Sequence, residues 1–259
     1  MSMNHAYESG RDRRWIPAFA GMTALLLTFA CGAFAAGPEL LSGDAAYAVR
    51  TATSGAVEAL ALYEKAATGP DAVEARWKAA RALHWLGDRS ADKKTKNAYF
   101  EKGIALAQAA VAAAPDRPEA RFWLAALYGS YGESRGVLKS LKLVGPMREQ
   151  LDAVNRIDER YQGGGAVRVL GVIDYKVPGF AGGSKKRAIE RLDRAVAIDP
   201  SNAYNQYYLA EGLSEVGRKK EALAHLDTLA GLGPNADVDG PDLASIRAKG
   251  EALKKKIGG

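Results

Sequence analysis

The chain has 259 residues, 47% of them apolar, and this is enough to bury one or two hydrophobic cores. Its net charge of +6 comes from 36 Lys and Arg and 30 Asp and Glu, interleaved along most of the predicted helices. This interleaving argues against a nucleic-acid-binding protein, because such proteins usually gather their basic residues on one face or arm. Short basic runs at 93–96, 185–187 and 254–256 are interpreted as solvated turns and helix ends.

Residues 1–35 are predicted to be an export leader. A positive region at 11–14 precedes residues 15–36, which carry no charge and are most apolar at 24–34. The apolar part has the length of a signal-peptide core and is short for a membrane span. Ala33-Phe34-Ala35 supplies the small residues for cleavage after Ala35. The leader predicts a periplasmic or secreted protein.

A second interpretation of the leader rests on Cys31, the only cysteine of the chain. The residues Thr28-Phe29-Ala30-Cys31 fit a permissive lipoprotein box, which would place a lipid anchor on Cys31. The protein would then be a membrane-anchored lipoprotein. Cleavage after Ala35 would instead leave a mature chain without cysteine, and Met22 is an alternative start.

The body of the chain contains an internal repeat. Segments that begin at Pro70, Pro115 and Pro200 align over nineteen residues without a gap. An aromatic residue lies seven positions after each proline, an alanine ten, a large residue thirteen and a glycine seventeen positions after it. These residues are Trp77, Ala80, Leu83 and Gly87 in the first copy, Phe122, Ala125, Tyr128 and Gly132 in the second, and Tyr207, Ala210, Leu213 and Gly217 in the third. Alanine on the same helix face as the aromatic lets a second helix approach closely, and glycine is predicted to end the first helix.

The third copy shows the full repeat length. A second helix with Ala222, Leu226 and Leu229 follows it, and Pro234 comes 34 residues after Pro200. The chain thereby resembles the tetratricopeptide-repeat family, whose unit is a 34-residue helix–turn–helix. We expect an all-α, tetratricopeptide-like α-solenoid of about four to five helical pairs with a C-terminal capping helix.

The expected organisation in chain order follows from this repeat. A partial repeat occupies 38–69, repeats occupy 70–234, and a capping helix and tail occupy 235–259. The spacing from Pro70 to Pro115 is 11 residues longer than one repeat, and we expect the extra residues in a polar linker at 89–97. A concealed repeat opens at 163–165, and we expect an irregular insertion at 133–183.

The stretch from about 131 to 229 carries a more specific pattern. It contains Leu138–Lys142 before Pro146-Met147, the Gly163–Gly165 opening with Leu170-Gly171, and Val177-Pro178-Gly179-Phe180 before Gly182–Ser184. This pattern resembles exported repeat proteins related to the T-component of tripartite ATP-independent periplasmic (TRAP) transporters. The resemblance implies a periplasmic accessory or substrate-handling scaffold, with a transporter subunit as partner.

The motifs that would support catalysis are not found in the sequence. The glycine-rich segments at 163–165 and 182–186 lack the residue order of a phosphate-binding loop. His84 and His225 have no His, Cys or paired carboxylate three or four positions away that would make a metal-ligand pattern, and no serine or cysteine stands in a nucleophile motif. We therefore predict no catalytic residue, metal or cofactor.

A recognition surface is expected in the groove formed by the first helices. Aromatic and arginine side chains together offer rigid apolar area and hydrogen-bond donors. The candidates are Arg81, Arg121, Trp123, Arg135, Tyr175, Tyr204 and Tyr208. The leading hypothesis is a scaffold that binds a protein or peptide in this groove. The alternative is a small-molecule-handling accessory of a transport system, to which the Val177–Gly183 loop would contribute.

Overall fold

Helices dominate the part of the chain that the computed structural model describes, residues 36–258, and no strand occurs there. The elements are α1 (Pro38–Ala48), α2 (Thr53–Ala66), α3 (Ala72–Arg89), α4 (Lys93–Ala113), α5 (Pro118–Arg135), α6 (Val137–Asp158), α7 (Gly165–Lys176), a 3₁₀ turn (Gly179–Ala181), α8 (Lys185–Ile198), α9 (Ala203–Glu215), α10 (Lys219–Gly231) and α11 (Gly240–Gly258). The predicted leader, its cleavage after Ala35 and the lipid on Cys31 fall outside the described residues.

Successive helices pack as antiparallel hairpins, which gives five pairs followed by α11. First helices of neighbouring pairs also contact each other, as α3 does with α5 and α7 with α9. This stacking confirms the predicted all-α solenoid. The helix α11 packs on α9 and α10 in the position expected of a capping helix. Among the helices of residues 36–258, none is both long and apolar enough to cross a membrane.

The aligned alanines lie where helices approach most closely. Ala80, Ala125 and Ala210 are completely buried, and the aromatic residue three positions before each is buried as well. The residues of one copy pack with those of the next, so that the cores form a nearly continuous layer along the stack. A larger side chain at these positions would push the paired helices apart.

The aligned glycines serve two different purposes. Gly217 has a φ of +78° just after α9 and ends that helix as predicted. Gly87 and Gly132 lie inside α3 and α5, so the expectation that they end the helix is wrong. A Cβ on Gly87 would come within 2.3 Å of Phe100 Cε1, and one on Gly132 within 2.9 Å of the Ser140 Cα. These two glycines are needed for close packing against the second helix.

The extra residues between Pro70 and Pro115 lengthen two helices, whereas the sequence predicted a polar linker. The helix α3 continues to Arg89 and α4 begins at Lys93, which leaves a turn of three residues. Asp92 caps α4, because its carboxylate accepts a hydrogen bond from the Thr95 amide at 2.8 Å. Polar residues in the first turn of α4 are compatible with helix when they face solvent.

The segment 133–183, expected to be an irregular insertion, is largely regular helix. The helix α6 runs through Pro146, whose missing N–H leaves the carbonyl of Lys142 without a helical partner. Both residues are exposed, so water can replace this hydrogen bond. Irregular backbone within the segment is limited to the turns at 136, 159–164 and 177–183.

Candidate functional site

The first helix of every pair, together with α11, lines one groove. The groove has a volume of about 1220 Å³. Its lining includes Tyr47 of α1, Arg81 and His84 of α3, Phe122 and Trp123 of α5, Arg168 and Val172 of α7, Tyr204 and Tyr208 of α9, and Asp242 and Lys249 of α11. Aromatic rings and charges of both signs therefore surround a single space.

Four of the seven predicted recognition residues reach this groove: Arg81, Trp123, Tyr204 and Tyr208. Arg121 lies outside it, where it donates to the Pro115 carbonyl at 2.7 Å and to Gln150 Oε1 at 2.8 Å. Arg135 is exposed beside Leu138 and Lys139 at the start of α6.

Tyr175 is also outside the groove. Its hydroxyl is bonded to the carboxylate of Glu211, and its ring packs on the core formed by α9 and α10. The groove-facing residues of α7 are Arg168, Val169, Val172, Ile173 and Lys176. Tyr175 is on a neighbouring face of the same helix, and its face could not be assigned from spacing alone.

Arg168 is a charged groove residue that the sequence did not identify as a candidate. It is only 5% exposed, although it carries a charge. Its Nη1 donates to Asn205 Oδ1 at 2.7 Å, and its guanidinium lies 5.3 Å from the centre of the Tyr204 ring. Burial lowers the pKa of Arg168. An arginine within the apolar run 166–170 was the available signal for this site.

The residues around Arg168 fix the orientation of its hydrogen-bond partner, the side-chain amide of Asn205, and those in the described chain supply no counter-ion. Asn205 Nδ2 donates to the carbonyls of Gly163 and Ala195, both at 2.8 Å, and this leaves its Oδ1 pointing at the guanidinium. Within residues 36–258, no carboxylate lies within 4.0 Å of Arg168. Its other partner, the Gln162 carbonyl at 3.4 Å, is neutral as well. A buried cation with only neutral partners is costly, so this position is suited to an anionic group from outside the chain.

A second cluster of donors surrounds Arg81, on the part of the groove wall formed by α3 and α5. Its guanidinium stacks 4.0 Å above the Tyr47 ring, and its Nη2 lies 3.4 Å from the Tyr63 hydroxyl. The Nε of Arg81 and the indole Nε1 of Trp123 are buried with no hydrogen-bond partner in the described part of the chain. Both parts of the groove wall therefore carry hydrogen-bond donors that the protein does not use.

An ion-pair clasp joins the two ends of the solenoid across the groove. Arg50, which is buried beside Tyr47, bonds to both carboxylate oxygens of Asp239 at 2.6 and 3.0 Å. It also lies 3.1 Å from Asp242 at the start of α11. Burial raises the pKa of Asp242, and the Arg50 charge opposes this shift. The clasp closes the groove on one side.

We expect Arg50→Gln to open the clasp. The neutral side chain cannot pair with Asp239 and Asp242, so hydrogen exchange at 232–239 should accelerate about tenfold, and unfolding should become easier by about 1–2 kcal/mol. Hydrogen-exchange mass spectrometry of the full chain measures the first effect and urea unfolding the second. As a control, Arg117→Gln removes an exposed pair with Glu119 and should change stability by less than about 1 kcal/mol. Unchanged exchange at 232–239 would show that the clasp does not hold the ends together.

The loop after α7 is held by a buried carboxylate. The Asp174 side chain is inaccessible to solvent and bonds to Arg148, Arg187 and Arg191 at 2.6–2.8 Å. Arg148 and Arg187 also donate to the Gly182 carbonyl. Val177 and Pro178 line the groove, so the first part of the Val177–Gly183 loop forms its rim. These contacts place the loop beside the groove.

Comparison with solved structures shows the same fold in a second protein. The structure described as TTC0263, a thermophilic TPR protein in Thermus thermophilus, has a TM-score of 0.62 and 20% sequence identity. The match covers 83% of this chain and 96% of that one. The tetratricopeptide-like fold predicted from the repeats is thereby confirmed.

Comparison of the sequence gives the family. No curated protein matches the chain. The resemblance to the transporter T-component is not supported by these comparisons. A family model described as Regulator of microtubule dynamics protein 1-3 matches residues 43–177, which is just over half of the sequence and spans α2 to α7. The chain belongs to the family of regulator of microtubule dynamics proteins 1–3.

Proposed function

We propose that the protein is a non-enzymatic scaffold that holds a segment of a protein partner in its groove. The observation that carries this proposal is the buried guanidinium of Arg168, which faces the groove without a carboxylate partner among residues 36–258. A glutamate, an aspartate or a C-terminal carboxylate of the bound segment would supply the missing charge. The fold supports the proposal, because tetratricopeptide-like solenoids offer extended concave binding surfaces.

The size and lining of the groove favour a peptide over a small molecule. Its volume of about 1220 Å³ exceeds the range of about 300–1,000 Å³ that is usual for small-molecule sites. Aromatic rings at Trp123, Tyr204 and Tyr208 provide rigid contact area with little loss of side-chain entropy. Charges of both signs, such as Asp88 and Lys249, suit the mixed side chains of a polypeptide.

The family description is compatible with this role. It names regulation of microtubule dynamics, which is an effect exerted on other proteins. For the present chain we propose only that a protein segment is bound. The chemistry of the groove indicates an acidic residue next to apolar or aromatic ones.

A random peptide library selected on the full chain would test the proposal. We expect enriched peptides to carry a carboxylate, and we expect Arg168→Gln to weaken their binding about 30-fold or more, because a buried charge pair would be lost. Fluorescence anisotropy of the labelled peptides measures this affinity. Trp123→Ala, which removes an aromatic side chain from the groove lining on α5, should weaken the same peptides.

The matched control is Arg194→Gln, which removes an exposed arginine paired with Glu159 away from the groove. It should leave peptide affinity unchanged, and circular dichroism should show that all variants are folded. If no peptide is enriched, or if Arg168→Gln and Trp123→Ala bind peptides as tightly as the unmodified chain, the proposed function is wrong.

A second candidate function is the handling of a small molecule by an accessory protein of a transport system. The clasp between Arg50 and Asp239 favours it, because a groove closed on one side can enclose a compact ligand. Native mass spectrometry of the purified chain would distinguish the two. A retained small molecule that is lost in Arg168→Gln would favour this candidate.

We further propose that the protein acts in the periplasm. This location rests on the leader at 11–35, with its positive region and apolar core. Cell fractionation would test it, and recovery of the chain in the cytoplasm alone would contradict it.

A further inference from the structure

The antiparallel packing brings one set of turns to a single edge of the solenoid. In each pair the first helix ends where the second begins, so the turns at 90–92, 136, 177–184 and 216–218 share this edge. The corresponding turn of the first pair, at 49–52, instead meets the start of α11 through the clasp of Arg50. The C-terminus of α11 reaches this edge too, since Gly258 lies beside Leu223 near the start of α10. Neighbouring turns touch: Lys176 Nζ is 3.4 Å from Glu133 Oε1, and Lys185 Nζ is 3.2 Å from the Glu215 carbonyl. We call this surface the turn edge.

The turn edge is basic. Nine exposed lysines on it have no carboxylate within 4.0 Å among the residues that the structure describes: Lys93, Lys94, Lys139, Lys142, Lys185, Lys219, Lys220, Lys255 and Lys256. The short basic runs that the sequence scatters along the chain therefore meet on one surface. The turns between pairs, at the opposite edge, carry two arginines, Arg117 and Arg160, and the carboxylates of Asp71, Asp116, Glu159, Asp199 and Asp237. These turns therefore lack the positive charge of the turn edge.

The turn edge also presents apolar side chains to solvent. Phe180 is 89% exposed, Leu138 79% and Val137 73%. These are the three most exposed large apolar residues between positions 36 and 258, and each lies in or next to a turn of this edge. Exposed apolar side chains concentrated on one surface mark an interaction site.

We propose that the turn edge docks onto an anionic lipid bilayer. Basic residues at a membrane surface each contribute about 1 kcal/mol of attraction to acidic lipids. Apolar side chains at the tips of separate turns can enter the boundary between headgroups and acyl chains independently, since a bilayer is fluid. An acidic protein or a nucleic acid could also pair with the lysines, but neither has a fluid apolar interior that could take up three protruding apolar side chains.

Docking in this orientation would place the groove beside the membrane. Lys176 and Pro178 belong to the rim of the groove and adjoin the exposed Phe180. The groove could then bind a partner segment that lies near the lipid surface. The docking proposal does not depend on the function proposed for the groove.

Hydrogen-exchange mass spectrometry of the full chain with vesicles provides the test. With vesicles of phosphatidylcholine and phosphatidylglycerol we expect slower exchange at 136–143 and 177–186, and no change at 67–71 and 114–117. Pure phosphatidylcholine vesicles should give no protection. Because the readout is local, contact between the predicted leader and the vesicles does not obscure it.

Two charge-reversal variants of equal net charge complete the experiment. Lys139→Glu with Lys185→Glu should weaken co-flotation with the anionic vesicles by about tenfold or more. The control, Arg156→Glu with Arg160→Glu, reverses two exposed arginines near the opposite edge and should bind like the unmodified chain. Equal binding of the two variants, or vesicle binding without protection of the turn edge, would overturn the proposal. Protection by polyglutamate or DNA but not by vesicles would also overturn it, and would assign the edge to an acidic polymer.

Discussion

Replacing Asp174 with Asn is expected to lower the free energy of unfolding by about 3 kcal/mol, because it removes the anion from a buried charge cluster. The Asp174 side chain has no solvent exposure, and three arginines bond to it at 2.6–2.8 Å. An amide cannot neutralise Arg148, Arg187 and Arg191. These arginines are partly exposed, so water can solvate them when the carboxylate is removed. The loss of stability is therefore smaller than it would be for a fully buried cluster.

The same cluster predicts a pH dependence of stability. Burial alone would raise the pKa of Asp174, but hydrogen bonds from Arg187 and Arg148 and the Arg191 charge outweigh it, so the pKa is lowered. Its contribution is fully present above the unfolded-state pKa of about 3.8 and is lost as the pH falls through the lower folded-state pKa. The stability difference between the unmodified chain and Asp174→Asn should be constant near neutral pH and shrink in strong acid.

Urea unfolding followed by circular dichroism, repeated over a series of pH values, measures both effects. The control is Asp152→Asn, an exposed aspartate without an ion pair in the described chain, which should change stability by less than about 0.5 kcal/mol. If Asp174→Asn were as stable as the unmodified chain at neutral pH, the cluster would not be a stabilising element of the loop.

Phe100→Ala is expected to have an equally large effect, about 3–5 kcal/mol. Phe100 is 1% exposed and packs with Ala80 and Leu127 where α3, α4 and α5 meet. Removal of its ring leaves a cavity at the site where Gly87 allows α3 and α4 to touch. Chemical unfolding of the variant gives the loss directly. A loss below about 1 kcal/mol would show that the stack does not depend on this contact.

Gly87→Ala tests the same contact from the other helix. In the otherwise unmodified chain, the added methyl group would lie 2.3 Å from the Phe100 ring, so the substitution should lower the free energy of unfolding by about 1–3 kcal/mol. This cost outweighs the helix propensity of Ala, which is about 1 kcal/mol better than that of Gly. In the Phe100→Ala background the methyl has room, so Gly87→Ala should be neutral or stabilising.

The two substitutions should therefore be coupled by about 1 kcal/mol or more. Gly231→Ala is the control, since no atom lies within 4 Å of the Cβ it would add at the exposed end of α10. Its effect should be the same with and without Phe100. Additive effects of Gly87→Ala and Phe100→Ala would mean that the glycine is not required for the helix approach.

The sequence predicted the fold because the repeat encodes local packing. Alanines in a constant register, as at Ala80 and Ala210, had to be buried wherever two helices meet, and they are. The same pattern gave a wrong prediction for Gly87, because the sequence does not distinguish a glycine that ends a helix from one that leaves room for an aromatic ring of the next helix. The pattern between about 131 and 229 suggested the transporter T-component, which the comparisons do not support.

Helical periodicity also predicted part of the groove. Alternation of first and second helices was sufficient to place Arg81, Trp123, Tyr204 and Tyr208 on the inner wall. Tyr175 was misassigned, because residues near the boundary between two helix faces point inward or sideways according to how neighbouring helices are rotated. That rotation depends on packing between pairs.

The sequence by itself thus determined the helices, their pairing and the buried register, all of which depend on residues within about one repeat of each other. Only the tertiary structure decided which charges are paired. Arg50 and Asp239 are 189 positions apart and meet in the clasp, while Arg168 receives a neutral partner 37 positions away and no anion from the described chain. The basic turns gather at one edge for the same reason. Charges act through distances in space, and the stacking of successive helices sets those distances.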